Sequence, residues 1–161
     1  MDELKIISNS SLETMEIAKS FAKLLSKGDI IVLSGELGAG KTKFTEGFLS
    51  FFNMQDEISS PTFNIVNEYT SSTTCIYHFD VYRLESSDEF YAIGGEEYFE
   101  KGICLIEWGE IIKDALPQNY IEIKIEKDSN FENKRILNFK SNGEKYKKIL
   151  STLKEELNWK F

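Results

Sequence analysis

Cysteine, histidine, proline and arginine are all scarce in this sequence, and their scarcity excludes several classes of structure. The 161 residues include two cysteines, one histidine, two prolines and two arginines. Cys75 and Cys104 stand in apolar runs with no Cys or His at metal-ligand spacing, which argues against a zinc site and predicts buried free thiols. A chain of this length can bury a core without disulfides, so residues 1–161 are expected to form one domain.

The sequence also has an excess of negative over positive charge and lacks long apolar runs. The formal net charge is -8 and the sequence pI is near 4.8, so a broad basic surface for a nucleic-acid backbone is not expected. No apolar run approaches the ~20 residues of a membrane span, and no secretory leader opens the chain. We therefore expect a cytoplasmic protein without membrane contact, and we expect another protein to hold any RNA.

Hydrophobic periodicity predicts alternating helices and strands. An apolar face over 11–26 predicts a helix, which Ser10 and Glu13 begin with the spacing of a capping box. Apolar runs over 30–33 and 103–106 predict strands buried on both faces of a parallel sheet. The same patterns predict further helices over 41–52, 87–98 and 143–159, a hairpin of 63–69 with 75–79, and strands over 120–125 and 136–139. The expected fold is a three-layer α/β sandwich with a mixed, partly parallel central sheet.

The strongest motif is the sequence Gly-Glu-Leu-Gly-Ala-Gly-Lys-Thr at 35–42. It matches the phosphate-binding pattern G-x-x-x-x-G-K-[ST], which arises by accident in on the order of one chain of this length in 200. A buried strand precedes it and an amphipathic helix follows it, so backbone amides and the helix N-terminus can converge on phosphate oxygens. The pattern predicts a P-loop NTPase that binds a nucleoside triphosphate with Mg²⁺.

Each residue of this loop is a predicted nucleotide-binding residue. We expect Lys41 to reach the β and γ phosphates and the Thr42 hydroxyl to bind magnesium. The remaining predicted contacts are Gly35, Glu36, Leu37, Gly38, Ala39 and Gly40. The sequence has no Asn-Lys-x-Asp stretch for reading guanine, which favours ATP.

Two carboxylates at predicted strand ends are candidates for the second half of the metal site. Magnesium in such sites uses an acidic residue at the end of a neighbouring strand. We assign the metal to Glu107, because its strand is the more apolar, and assign Asp80 to positioning the attacking water or sensing the γ-phosphate. Thr62 follows the loop's helix, where nucleotide switches place a hydroxyl, although a plain turn there is the alternative.

Arg83 and His78 flank Asp80 and have two interpretations each. The Arg83 guanidinium either neutralises transition-state charge or forms a structural ion pair with Asp80. For His78, packing within a strand is favoured over a role as a catalytic base.

Four segments together resemble one family. They are the loop at 35–42, Ser-Pro-Thr-Phe at 60–63, His-Phe-Asp-Val-Tyr-Arg-Leu at 78–84 and Ile-Glu-Trp at 106–108. In order, spacing and overall length they are similar to the TsaE (YjeE) family, the ATPases of tRNA threonylcarbamoyladenosine biosynthesis. The resemblance covers most of the chain up to Trp108.

The resemblance implies an ATPase that acts with TsaD and TsaB and meets tRNA only through that complex. ATP hydrolysis would reset the complex between rounds of threonylcarbamoyl transfer to the adenosine beside the anticodon. It implies phosphate and metal positions at 35–42 and Glu107, and catalytic positions at Lys41, Thr62 and Asp80. It further implies nucleotide contacts from Trp108, from Ser11 near the first helix, and from Lys134 or Arg135 in the C-terminal hairpin.

Two other functions fit the same loop. A small-molecule kinase has this size and motif, but its lid usually needs several arginines for phosphate clamping. A nucleotide-gated binding module would use ATP to order a partner-binding face without significant hydrolysis.

Overall fold

The protein is built on a single sheet of seven strands. The computed structural model describes residues 1–36, 38–54 and 65–158. In chain order the strands are β1 (Glu3–Ser8), β2 (Ile30–Gly35), β3 (Val66–Thr70), β4 (Cys75–Asp80), β5 (Ile103–Glu107), β6 (Tyr120–Lys127) and β7 (Arg135–Asn142). Their order across the sheet is β1-β7-β6-β2-β5-β4-β3.

The sheet is mixed, as predicted. Strand β2 pairs in parallel with both β5 and β6, and β4 pairs in parallel with β5. The pairs β1/β7, β6/β7 and β3/β4 are antiparallel. The parallel centre places the carboxyl ends of β2, β4 and β5 at one edge of the sheet, which is where ligands bind in open α/β folds.

Four α-helices and two 3₁₀ helices flank the sheet in the described parts of the chain. The α-helices are α1 (Ser11–Ala22), α2 (Lys41–Phe51), α3 (Ser87–Ala92) and α4 (Glu144–Asn158), and the 3₁₀ helices span Gly95–Glu100 and Gly109–Ala115. The predicted helix at 11–26 therefore ends four residues early, and the short helices predicted over 87–98 are α3 and the first 3₁₀ helix. Positions 63, 64 and 159 of the predicted elements lie outside the described residues.

The start of α1 differs slightly from a capping box. Ser10 accepts a hydrogen bond from the Glu13 backbone N–H at 3.1 Å, as predicted. The Glu13 carboxylate accepts from the Asn9 backbone N–H at 2.6 Å instead of from that of Ser10. Ser10 thus satisfies one of the N–H groups that the helix leaves without a partner, while Glu13 accepts from the residue before the N-cap.

Two apolar cores confirm the three-layer arrangement. Helices α1, α2 and α4 cover one face of the sheet, where Phe21 packs against the rings of Phe44, Phe48 and Phe139. On the other face, α3 and the 3₁₀ helices cover β4 and β5, and Phe79 packs against Phe90 there. Both faces of the sheet are thus buried around β5, which explains the continuous apolar run at 103–106.

The two cysteines are free, as expected, but they differ in burial. Cys104 is buried, and burial raises the pKa of its thiol to about 12. Cys75 is only half-buried, because it lies at the start of β4 near the sheet's edge, so the prediction of burial was wrong for this thiol. Within the described residues, no helix combines the length and apolarity needed to cross a membrane.

The closest approach between α1 and α2 depends on a glycine. A Cβ on Gly47 would overlap the backbone carbonyl oxygen of Met15. Gly47→Ala should therefore force the two helices apart and lower the free energy of unfolding by about 1–3 kcal/mol, the usual cost of overpacking. Urea denaturation measures this free energy of unfolding. Lys43→Ala, an exposed change in the same helix, should stay within about 0.5 kcal/mol of wild type. Equal stability of all three proteins would contradict this account of the contact.

Candidate functional site

The loop between β2 and α2 has the backbone of a phosphate cradle. Gly38 and Gly40 adopt left-handed φ values of 79° and 110°, a region that costs other L-residues strain. Gly40 also stands at the N-cap of α2. In phosphate-binding loops such a turn, followed by a helix N-terminus, directs peptide N–H groups toward an anion. Leu37 lies outside the described residues.

The first glycine of the loop is required by a close approach of two backbones. A Cβ on Gly35 would lie 2.6 Å from the carbonyl oxygen of Ile125 in β6. Glycine therefore lets the end of β2 pack directly on β6. The base of the loop is fixed to the centre of the sheet by this contact.

Arg135 holds the other side of the loop. Its Nε donates a hydrogen bond to the carbonyl oxygen of Ala39 at 2.9 Å. Its Nη1 donates to the carbonyl oxygens of Glu132 at 2.6 Å and Lys134 at 3.0 Å. The guanidinium thus ties the start of β7 to the loop backbone, which gives Arg135 a positioning role. The nucleotide contact that the family resemblance implied for Lys134 or Arg135 stays a prediction.

Lys41 and Glu107 face each other across this edge of the sheet. The Lys41 Nζ lies 3.7 Å from the Glu107 Oε1, and the two side chains are only 16% and 14% exposed. Glu107 ends β5, and it pairs in register with Asp80 at the end of β4. The structure therefore brings the predicted phosphate lysine and both predicted carboxylates to the same end of the sheet. Lys41 begins α2, and Asp80 and Glu107 end the neighbouring strands β4 and β5.

His78 adds a contact that the sequence interpretation missed. It is buried within β4, as expected, but its Nε2 lies 2.7 Å from the Glu107 Oε2. Its Nδ1 is buried and has no hydrogen-bond partner among the described residues. The His-x-Asp spacing puts His78 and Asp80 on one face of a strand, but only the register of β4 with β5 reveals that Glu107 shares that face.

The charge on Glu107 is stabilised by its neighbours. Burial alone raises the pKa of this carboxyl, but the hydrogen bond and charge of His78, together with Lys41, outweigh it, and the pKa is lowered from its ordinary value of 4.5. Glu107 is therefore a carboxylate at neutral pH, in the state that a magnesium ligand requires.

Trp108 lies directly beside this carboxylate in a strained conformation. Its φ is 65°, which is costly for a bulky L-residue. The Lys41 Nζ lies 5.4 Å from the centre of the Trp108 ring, and the centres of the Trp108 and Tyr82 rings are 5.1 Å apart. Trp108 is 38% exposed, so an aromatic surface forms one wall of the site.

The other predicted site residues occupy less defined positions. Thr42 is exposed in the first turn of α2, next to Lys41, and Glu36 is exposed in the loop. Asp80 accepts a hydrogen bond from the Tyr82 backbone N–H at 3.1 Å. Thr62 lies outside the described residues.

The ion pair considered for Arg83 does not form. Arg83 is exposed, and none of the ion pairs within the described ranges joins it to Asp80. Its alternative role in charge neutralisation stays a prediction.

A cleft lies at the turn between β6 and β7, next to the residue that precedes the N-cap of α1. It has a volume of about 420 Å³ and is lined by Asn9 and by residues 130–134 of the β6–β7 turn. Its exposed Phe131 ring lies 5.3 Å from the Lys134 Nζ. Ser8 pairs with Arg135 across β1 and β7, so the cleft adjoins the tether to Ala39. Ser11 is exposed at the start of α1 and does not line this cleft.

The residues present fit magnesium bound together with phosphate. The described residues contain no group of three or more His, Cys, Asp or Glu side chains that would hold a metal by themselves. Mg²⁺ commonly takes one or two protein oxygens and completes its shell with phosphate and water. The Glu107 carboxylate and the Thr42 hydroxyl are oxygen donors of that kind, and Lys41, which follows the glycine loop, lies 3.7 Å from that carboxylate.

A strand, a glycine loop and a helix, with a lysine at the helix start and carboxylates on neighbouring strand ends, define a P-loop NTPase fold. The sequence model for "Threonylcarbamoyl adenosine biosynthesis protein TsaE" matches residues 8–136. The chain is 38% identical to the tRNA threonylcarbamoyladenosine biosynthesis protein TsaE of Bacillus subtilis, over 98% of each chain. It is 43% identical to the Rickettsia conorii protein of the same name, over 83% of this chain and 76% of that one.

A solved structure agrees with the sequence comparisons. The crystal structure of Bacillus subtilis YdiB superposes with a TM-score of 0.78 at 34% identity and covers 96% of this chain and 95% of that one. The chain belongs to the TsaE family, whose name places it in threonylcarbamoyl adenosine biosynthesis. The resemblance expected from the four sequence segments is confirmed.

The lowered pKa of Glu107 predicts how stability changes with pH. A carboxyl whose pKa is lower in the folded state than in the unfolded state stabilises the fold at pH values above the unfolded-state pKa. This contribution is lost as the pH falls through the folded-state pKa. The free energy of unfolding of wild type should therefore exceed that of Glu107→Gln at neutral pH, and the difference should shrink below pH 4.5. Glu110→Gln, at an exposed position in the next turn, is the control in urea denaturation. A difference between wild type and Glu107→Gln that grows on acidification contradicts the assignment.

Proposed function

We propose that this chain is a Mg²⁺-dependent ATPase that acts with TsaD and TsaB in forming threonylcarbamoyladenosine in tRNA. One observation carries the biochemical part: Lys41 and Glu107 meet at 3.7 Å beside a loop whose glycines turn left-handed at a helix N-terminus. Membership of the TsaE family supports the pathway. We propose the cytoplasm as the place of action, since tRNA modification by such a complex occurs where tRNA is available.

Each residue of the site has a proposed task. The amides of Gly38, Gly40 and Lys41 bind phosphate oxygens, and the Lys41 ammonium binds the β and γ phosphates. The Thr42 hydroxyl and the Glu107 carboxylate would hold magnesium, and His78 keeps that carboxylate oriented through its 2.7 Å contact. Bound magnesium would neutralise charge on the phosphate oxygens. Asp80, next to Glu107 in the sheet, orients the water that attacks the γ-phosphorus.

The contact between Lys41 and Glu107 also implies a change on binding. In the structure the ammonium and the carboxylate neutralise each other in a partly buried position. A triphosphate offers Lys41 a stronger anion, and a metal offers Glu107 a stronger cation. The Lys41–Glu107 pair would thus be replaced by a pair of Lys41 with phosphate and a pair of Glu107 with the metal. Neither group is then left buried and unpaired.

We propose that the cleft of Asn9 and residues 130–134 receives the base and ribose. Asparagine amides can both donate to and accept from the polar edge of adenine, and Asn9, Asn130 and Asn133 all line the cleft. The Phe131 ring offers a stacking surface. This arrangement agrees with the preference for ATP that the absence of a guanine-reading motif suggested.

The kinase alternative receives less support from the site. Arg135 donates to three backbone carbonyls, and it is one of only two arginines in the chain. Few guanidinium groups remain for a lid over phosphates. The ATPase proposal therefore accounts for more of the arrangement.

Loss of the loop lysine tests nucleotide binding. Lys41→Ala should weaken binding of a fluorescent ATP analogue by about 10- to 100-fold, because a charged hydrogen bond contributes about 1.5–3 kcal/mol. Lys43→Ala is a matched control, since Lys43 lies two residues further along, is 50% exposed and pairs with Glu46. Unchanged affinity of Lys41→Ala, with the fold intact by circular dichroism, contradicts the phosphate site.

Reconstitution tests the catalytic and pathway proposals together. ATP hydrolysis and tRNA threonylcarbamoylation should both rise when TsaD and TsaB are added to the chain. Asp80→Asn should bind Mg-ATP normally and lose about 100-fold or more in turnover, the range expected for loss of a catalytic carboxylate. The matched control is Asp88→Asn, an exposed residue in α3. Full modification activity with Asp80→Asn would favour the nucleotide-gated module, and turnover that needs a small acceptor instead of the proteins would favour the kinase.

A further inference from the structure

The last residue of β6, Lys127, lies against the glycine loop. A Cβ placed on Gly38 would be 3.2 Å from the Lys127 Nζ and 3.6 Å from its Cε. The ammonium group therefore occupies the space next to the left-handed turn at Gly38. Left-handed glycines at such turns are a feature of loops whose backbone amides bind anions.

Lys127 differs from the other lysines nearby in its charge environment. Lys41 faces Glu107, Lys134 lies 3.8 Å from Asp128, and Lys124 lies 3.1 Å from Glu126. Over the ranges that the structure describes, no carboxylate forms an ion pair with Lys127. An ammonium group beside N–H donors, without a neutralising partner, adds to the positive potential that attracts an anion.

The β6–β7 hairpin fixes the position of this lysine. Lys127 pairs in register with Arg135 on β7, and Arg135 donates to the carbonyl oxygen of Ala39 in the loop. Ile125, two residues before Lys127, supports Gly35 from the same strand. The backbone of Lys127 is thus held to the loop from two sides, and only its flexible stem is left to adjust to a ligand.

We propose that Lys127 is a second phosphate-binding cation, which contacts the polyphosphate of a bound nucleoside triphosphate from the β6–β7 hairpin. This inference rests on the proposed nucleotide-binding function. Lys41 approaches from α2, so the two ammonium groups reach the ligand from different elements of the fold. A Cβ at position 38 would require the Lys127 ammonium to move by only a few tenths of an ångström, so the backbone conformation remains the main reason for glycine there.

The test compares charge removal with charge retention at position 127. Lys127→Met keeps the apolar stem and removes the charge, while Lys127→Arg keeps the charge. Lys124→Met is the matched control, since Lys124 lies on the same strand and is 63% exposed. The probes are fluorescent ATP, ADP and AMP analogues with Mg²⁺, titrated into the full chain.

Lys127→Met should weaken ATP binding by about tenfold, the size expected for one charged contact in a partly exposed site. The loss should be smaller for AMP, and Lys127→Arg should recover most of the affinity. Mg-ATP should also protect the Lys127 amine, but not that of Lys124, from acetylation measured by mass spectrometry.

Two results would overturn the inference: equal ATP affinity of Lys127→Met and Lys124→Met, or acetylation of Lys127 at one rate with and without Mg-ATP. Lys41→Ala in the same titration distinguishes a failure of the role of Lys127 from a failure of the proposed phosphate site. If Lys41→Ala loses affinity and Lys127→Met does not, only the role of Lys127 fails. If neither change alters affinity, the phosphate site itself is wrong.

Discussion

The whole site depends on one backbone constraint, the sharp turn from β2 into α2. Gly35 packs against a carbonyl of β6, and Gly38 and Gly40 adopt left-handed conformations. A turn of this kind suits peptide N–H groups to an anion, and the helix that follows adds its partial positive charge. Arg135 secures the turn from the adjacent hairpin through the carbonyl of Ala39.

The parallel centre of the sheet supplies the acidic half of the site. Because β4 and β5 run in the same direction as β2, Asp80 and Glu107 end beside the loop. His78 and Lys41 keep Glu107 ionised although it is largely buried. The dense packing around β5 therefore has a functional consequence, since it places a charged carboxylate in a partly dry environment, where electrostatic interactions are stronger than in water.

The sequence predicted the fold class and much of the site because both follow from local patterns. The loop motif needs only its own eight residues and the two elements around it, and those elements have clear periodicity. Glu107 and Asp80 were identifiable because each ends a strand of apolar residues. The contacts of His78, Arg135 and Lys127 depend on strand register and on a hairpin remote in sequence, which periodicity does not specify. Local composition also missed the partial exposure of Cys75, since it cannot show where a strand meets the sheet's edge.

The end of the sheet that carries the glycine loop also presents an aromatic surface to solvent. Trp108 and Tyr82 form an exposed aromatic pair next to Glu107, and such surfaces are often used in contacts between proteins. A protein with net charge -8 gains little from direct contact with the phosphates of tRNA. A nucleotide-dependent partner of an RNA-binding complex is consistent with both features.

The most direct measurement follows the backbone amides of the loop by nuclear magnetic resonance during titration with Mg-ATP. The account predicts that the largest shifts in amide proton and nitrogen resonances occur at Gly38, Gly40 and Lys41, with smaller shifts at Asn9 and Phe131 in the cleft. Resonances of Asn138 and Lys140, further along β7, should change little. Large shifts on β7 with an unchanged loop would contradict the central claim that main-chain amides at this turn bind the polyphosphate.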